Sequence, residues 1–206
     1  VNYNSSGYSV FKKTFDQYLK QTANIDVEII KQKLGVSVKG SEIDIPFFNR
    51  ICRVNKNSVT DPSGSIPSFE ICIILLKYLL TNRSGYSTSE EWVAYRDLRD
   101  SRPLLDYFKN EVEKKIASHF KGNIVQLEKA GKSLGGYTPK ESYPYDVAIM
   151  LRVLPRIPVL LLFNDADPEF DATCSVLFER RAENYLDAEC LSMVGRLLFE
   201  LLIKAE

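Results

Sequence analysis

The chain has 206 residues, 45% of them hydrophobic, with 27 basic against 27 acidic residues and a formal charge of +0. A chain of this size buries a core without disulfide or metal staples, and this apolar content excludes a disordered or fibrous protein. The balanced charge argues against a nucleic-acid binder, because the basic pairs Lys12-Lys13, Lys114-Lys115 and Arg180-Arg181 each sit beside acids and read as solvated faces.

Phe11, Phe15, Tyr18 and Leu19 recur at helical spacing, which predicts an amphipathic helix over Tyr8 to Gln21. Asn24 is expected to cap a second short helix, Ile25 to Leu34, ended by Gly35. The period then changes to two: Ile43, Ile45 and Phe47 alternate with Glu42, Asp44 and Pro46, and Pro46 places this strand at a sheet edge. Ile51 to Val54 pairs back as a hairpin through Phe48-Asn49-Arg50. Asn55 to Ser65 is a loop, and Pro67 suits the first turn of a helix that is apolar nearly all round from Phe69 to Leu80. Such a helix belongs in the middle of the molecule.

Thr81 to Glu90 reads as a polar loop and Trp92 to Leu98 as a short extended segment. Leu104 or Leu105, Phe108, Val112, Ile116 and Phe120 step by roughly four and mark a long helix ended by Gly122. Ile124, Leu127 and Leu134 mark another, ended by Gly135-Gly136, and Thr138 to Pro144 is a connection. Tyr145, Val147, Ile149, Leu151 and Val153 alternate as one face of a strand. Pro155-Arg156-Ile157-Pro158 bends the chain into Val159 to Phe163, a continuous apolar run expected of a central strand covered on both faces. Asn164 to Asp171 is an acidic loop, Cys174, Val176 and Phe178 form the inward face of the next strand, and Asp187 caps a last helix. Strands and helices are segregated and the strand links are too short for parallel crossovers. The expectation is one α+β domain over residues 1–206, an antiparallel sheet covered by helices, with an N-terminal helix and hairpin subregion at 1–65 and the main sheet in 66–206.

No stretch at the start reads as a signal peptide, and Val1 is not a natural initiating residue, consistent with a missing tag or upstream piece. The longest apolar run, Ile71 to Leu80, is broken by Lys77 and too short for a bilayer. Cys52, Cys72, Cys174 and Cys190 are far apart among apolar neighbours, so they read as buried thiols of a reducing, cytoplasmic compartment and not as metal ligands. No cofactor, metal, membrane or nucleic-acid partner is expected.

His119 is the only histidine, sits near a helix C-terminus and finds no nucleophile elbow to serve. Asp165, Asp167, Glu169 and Asp171 alternate as calcium ligands can, but Phe170 stands where the turn of an EF-hand needs glycine, so a solvated hairpin loop is the plainer reading. Gly131 to Gly136 follows a helix instead of preceding one, so it reads as a helix cap and not a phosphate cradle. Arg152 alternates away from the Tyr145–Val153 face. If helices cover that side too, its guanidinium needs a carboxylate, with Glu179 and Glu91 the internal candidates or a ligand the external one. Arg156 flanks Pro155 beside it, and Trp92, Tyr95 and Arg96 form an aromatic-basic cluster suited to a partner or a planar ligand if exposed.

Those residues carry a resemblance. Glu91-Trp92-Val93-Ala94-Tyr95-Arg96-Asp97-Leu98, Leu134-Gly135-Gly136, the stretch Arg152-Val153-Leu154-Pro155-Arg156-Ile157-Pro158-Val159-Leu160-Leu161, Val176-Leu177-Phe178-Glu179 and Asn184-Tyr185-Leu186 are similar to the domain of unknown function numbered thirty-seven eighty-six, of anaerobic bacteria and archaea. The likeness spans most of the chain after Ile66 and the first third only in outline. Members of that family joined to a four-cysteine iron–sulfur module imply a setting in anaerobic one-carbon or corrinoid metabolism. The cysteines here lack that module's spacing, so the resemblance implies a neighbourhood and not a bound cluster. It carries over no catalytic residue. The leading expectation is a non-catalytic accessory or binding module for an iron–sulfur or corrinoid protein, acting through Trp92, Arg96, Arg152, Arg156 and Tyr185. The alternative is a ligand-binding protein or enzyme in which Arg152 and Arg156 hold an anionic group, such as a tetrapyrrole carboxylate, with Asp165 or Glu179 as acid or base. A purely structural subunit is the third reading.

Overall fold

The computed structural model describes the backbone of residues 5–81 and 91–206, with side chains from residue 12 onward. The chain is α+β and clusters into two compact units, Val1–Ser84 and Gly85–Glu206. The seam expected after residue 65 thus falls after Ser84, and the apolar helix goes with the N-terminal elements. The loop expected over Thr81 to Glu90 lies, beyond Thr81, outside the described residues.

In the first unit, helix α1 (Ser5–Thr22) turns Leu19 and Thr22 inward while Lys12, Lys13 and Lys20 stay in water. Helix α2 (Val27–Leu34) is capped by Asp26 and not Asn24. The Asp26 carboxylate accepts from Glu28 N at 3.0 Å and Ile29 N at 3.2 Å, filling two of the orphan donors of a helix start. Helix α3 (Phe69–Leu80) packs on both. Its Tyr78 is fully buried, and the hydroxyl donates to Leu34 O at 2.7 Å, so the ring is buried without orphaning its polar tip.

The first sheet is an antiparallel meander, β1 (Ser37–Lys39), β2 (Glu42–Phe47), β3 (Arg50–Val54) and β4 (Val59–Thr60). Two strands were not legible in the sequence, and β1 removes β2 from the edge that Pro46 implied. The pairing of β1 stops at Ser37 with Asp44, before Pro46 is reached, so the missing proline N–H leaves no gap in that ladder. Ile43, Ile45, Cys52 and Val54 form the buried face, while the Arg53 guanidinium bonds Asp44 at 2.8 Å on the other. The β2–β3 turn is Phe48-Asn49, and Phe48 takes φ +51, the left-handed region, with its ring 8% exposed and edge-on to Phe47 at 5.0 Å.

In the second unit the sheet runs β5 (Trp92–Ala94), β8 (Thr173–Glu179), β7 (Ile157–Asn164) and β6 (Val147–Leu154), antiparallel throughout. The expected extended segment after Trp92 turns into one 3-10 turn at Tyr95–Asp97. Val93, Phe178, Val159 and Leu151 lie on one face with Val176, Leu161, Phe163, Val147, Ile149 and Val153, all buried. Strand β7 is buried on both faces, as its unbroken apolar run predicts.

The helix expected to end before Gly122 is not one regular helix. It is α4 (Leu105–Phe108), a π turn (Lys109–Glu113) and α5 (Lys114–Phe120), with α5 and the π turn against β8. Helix α6 (Ile124–Ser133) lies on β6 and closes as a Schellman cap: Gly135 N bonds Lys132 O at 2.9 Å and Gly136 N bonds Gly131 O at 2.8 Å. A Cβ on Gly136 would stand 2.7 Å from Gly131 O and from Ile149 Cγ2, so the Leu-Gly-Gly stretch is a packing device. Helix α7 (Ala188–Lys204), capped by Asp187 on Cys190 N at 2.9 Å, packs on α4, the π turn and α6. Among the described residues no helix is long and apolar enough to cross a membrane.

Candidate functional site

The registers of the second sheet align one row across its strands. Trp92 pairs with Glu179, and Arg152 pairs with Pro158. The ladder Val159–Phe178, carried one residue on, sets Pro158 beside Glu179. Paired residues point to the same face, so Trp92, Glu179, Pro158 and Arg152 share the face opposite the helices. At about 4.8 Å per strand the row spans about 14 Å from Trp92 to Arg152. Four residues from three separate stretches of sequence are thus brought onto one line, three of them expected at a site.

Their states differ. Glu179 is 7% exposed and pairs with Arg181, two residues on in the 3-10 turn Arg180–Asn184. The sequence-level partner for Glu179, Arg152, stands instead in solvent at the sheet margin, because that face of β6 is open there: Ala148 and Met150 are half-buried and Arg152 is exposed. Arg152 makes no ion pair with any described residue. The other candidate partner, Glu91, grips Arg180 through two oxygens at 2.5 and 3.0 Å, and Arg180 holds its carboxyl below the usual range. Arg180 also donates to Asp97 O at 3.3 Å, while Arg99 reaches Glu183 at 3.1 Å and its backbone N–H bonds the same carboxylate at 3.0 Å. These pairs tie the 3-10 turn after β8 to the residues on either side of β5, and with Glu179–Arg181 they leave three carboxylates committed to structural cations.

Arg156 is half-buried in the β6–β7 turn, beside the row. Arg96 is exposed and stands 3.9 Å from Asp97. Tyr185 is 7% exposed, so it belongs to the core and offers no contact surface. Tyr95 is also interior: it stacks on Phe108 with centroids 4.2 Å apart, donates to Ala188 O at 2.8 Å, and burial raises its hydroxyl to about 12.

Asp165 lies at the opposite end of β7. The eight residues of β7 separate it from Arg156, about 30 Å of extended chain. It cannot act as an acid or base on a group held by Arg152 and Arg156. Its Oδ1 instead accepts from Gly122 N at 2.7 Å and Ala166 N at 2.8 Å. Asp167 caps its own turn and Asp171 pairs with Lys121 at 2.8 Å, so the alternating acids diverge onto separate partners. Among the described residues no group of three or more His, Cys, Asp and Glu is placed to hold a metal ion.

The remaining reactive side chains are held in quiet settings. His119 meets Glu206 at 2.5 Å and lies edge-on to Phe120 and Phe199. Cys52, Cys72 and Cys190 are buried and Cys174 is half-buried. Burial lifts Cys52 to about 11, Cys72 to about 12 and Cys174 well above the ordinary thiol, which keeps them protonated and poor nucleophiles.

One residue escaped the sequence reading. Glu113, in the π turn, accepts from Val176 N at 3.1 Å. Strand β5 stops at Ala94 opposite Leu177, so the next outward N–H of β8 has no strand partner and the carboxylate takes its place. Burial raises the Glu113 carboxyl despite that bond and the nearby Arg96 and Lys109.

The family model described as Domain of unknown function (DUF3786) matches residues 26–201. That match begins well before Ile66, so most of the N-terminal third is part of the same family pattern, beyond the outline likeness expected of it. No curated protein and no solved structure matches the chain.

Proposed function

The chain belongs to the family Domain of unknown function (DUF3786), and from that premise we propose that it is a cytoplasmic, non-catalytic binding module that docks an iron–sulfur or corrinoid protein of anaerobic metabolism. The docking surface is the open margin of the second sheet, with Arg152 at one end of the row and Arg156 beside it, Trp92 at the other end, and Arg96 in the turn that follows Trp92's strand. The observation that carries the reading is the exposed Arg152 guanidinium, carried on a strand and without an acid of its own. The strand fixes where the side chain starts, and an unpaired cation there selects an anionic partner surface whose pairing must outweigh the cost of ordering the side chain. The carboxylates that could have served as acid or base near it, Glu179, Glu91 and Glu183, are committed to Arg181, Arg180 and Arg99. That favours recognition over proton transfer.

The test is direct titration of the purified chain with a purified corrinoid iron–sulfur protein under anaerobic conditions. Binding in the micromolar range is expected, roughly −8 kcal/mol. It should weaken at least about ten-fold with Arg152→Glu and fall as salt is raised. Absence of binding at about 100 μM, or equal binding by Arg152→Glu, overturns the assignment.

A further inference from the structure

The opposite end of the second unit carries a different feature. Phe170 is 70% exposed at the tip of the β7–β8 loop. The loop is closed: Asp167 Oδ1 accepts from Glu169 N at 2.8 Å and from Phe170 N at 2.7 Å, and Asp167 N donates to Phe170 O at 3.0 Å. Its base is tied as well. Asp165 N donates to Asp146 Oδ2 at 2.8 Å, Asp165 accepts from Gly122 N, and Asp171 meets Lys121. A phenyl ring is therefore held out in water by a turn that cannot fold it back.

Near the base of the loop, Tyr145 next to Asp146 is 36% exposed, and Val125, three residues beyond Gly122, is 78% exposed. The residues Asp167 and Glu169 that flank it are exposed, while Lys121 pairs with Asp171 and also feels Asp165 at the loop base. A rigid aromatic with two torsions loses little freedom on binding, and such rings dominate the energetics of contact surfaces. The acids set the sign of what can approach.

The geometry points to Phe170 as the anchor of a second docking surface, inserting into an apolar pocket of a partner protein whose surrounding surface is basic. The base of this loop, at Asp146, lies about 20 Å of strand away from Arg152 and the loop selects the opposite charge, so it is a separate interface.

The experiment replaces Phe170 in the full chain by the photo-crosslinking residue p-benzoylphenylalanine, irradiates it in an extract of the native host, and identifies the captured species by mass spectrometry. Its affinity for the purified chain is then measured. The expected result is a protein with a basic surface that binds the wild-type chain and loses at least about ten-fold in affinity with Phe170→Ala. The double change Asp167→Asn, Glu169→Gln, which keeps the turn acceptor, should weaken binding and flatten its salt dependence. An unchanged melting temperature shows that the variants fold. No crosslinked species, a captured protein that binds Phe170→Ala as tightly, or a crosslink only to a second copy of this chain overturns the proposal.

Discussion

Gly195→Ala puts a methyl group where α7 crosses the π turn. The new Cβ would stand 2.5 Å from Phe108 Cε2, 3.0 Å from Cζ and 3.2 Å from Val112 Cγ1. Carbon atoms rest about 3.5–4.0 Å apart, so the Phe108 ring or the helix must yield by about 1 Å. The ring has nowhere to go. It is 2% exposed, stacked on Tyr95 with an interplanar angle of 5°, and 6.1 Å from the Phe178 ring. Overpacking of this kind costs about 1–3 kcal/mol, and alanine returns about 1 kcal/mol of helix propensity. The difference is about 0–2 kcal/mol, and the 2.5 Å approach to a ring that cannot move puts it in the upper half, about 1–2 kcal/mol of net loss. For a chain of this length that lowers the melting temperature by roughly 3–6 °C. Differential scanning calorimetry reads the shift, and near-ultraviolet circular dichroism reports the disturbed aromatic stack. Adding Phe108→Leu should recover part of the loss, because it removes the atoms in the way. A melting temperature equal to or above that of the wild type refutes the packing argument, since propensity alone would then have decided the outcome.

Glu179→Gln leaves Arg181 partly buried without its counter-charge and should cost about 2 kcal/mol, less than for a fully buried pair because 27% of the Arg181 side chain is exposed; urea denaturation measures it. Glu113 predicts a pH effect of defined sign. Its folded pKa is raised above the ordinary 4.5, so its contribution to stability is fully present below 4.5 and is lost as pH rises through the folded value. Glu113→Gln, whose carbonyl still accepts from Val176 N, should therefore gain on the wild type as pH rises from about 4.5; parallel stability profiles across that window would refute it. The thiols should resist alkylation: iodoacetamide at about pH 8 should leave Cys52, Cys72 and Cys190 unmodified in the native chain and modify all of them in guanidinium, scored by intact mass.

What the sequence showed followed from periodicity. Alternation exposed β6 and β8, and an unbroken apolar run exposed β7, because burial on one or two faces leaves a direct mark on residue type. The strands β1 and β4 are three and two residues long, too short for any period to register, while the extended segment expected from Trp92 is strand only as far as Ala94. The π turn was present in the pattern but read as plain helix. Phe108, Val112, Ile116 and Phe120 keep strict four-residue steps, and each such step drifts about 40° around a 3.6-residue helix. A local change of winding lets Phe108, Val112, Ile116 and Phe120 all be buried and brings Glu113 to β8. The row from Trp92 to Arg152 was legible residue by residue but not as a row, because strand register depends on partners distant in sequence. The sequence offers Arg152 two internal partners, Glu179 and Glu91, but Arg181, two residues from Glu179, takes the first and Arg180 the second.

Phe48 gives the first unit's hairpin an unusual economy. Turns of two residues ordinarily recruit glycine or asparagine to φ > 0, and a bulky side chain there forfeits roughly 1–2 kcal/mol of backbone energy. The same side chain, sealed against Phe47, returns about 1.5–3 kcal/mol through burial. Substituting the residue that ideal turn statistics recommend would relax the backbone and empty the space beneath it. A designer following consensus turn chemistry would weaken this hairpin while appearing to correct it.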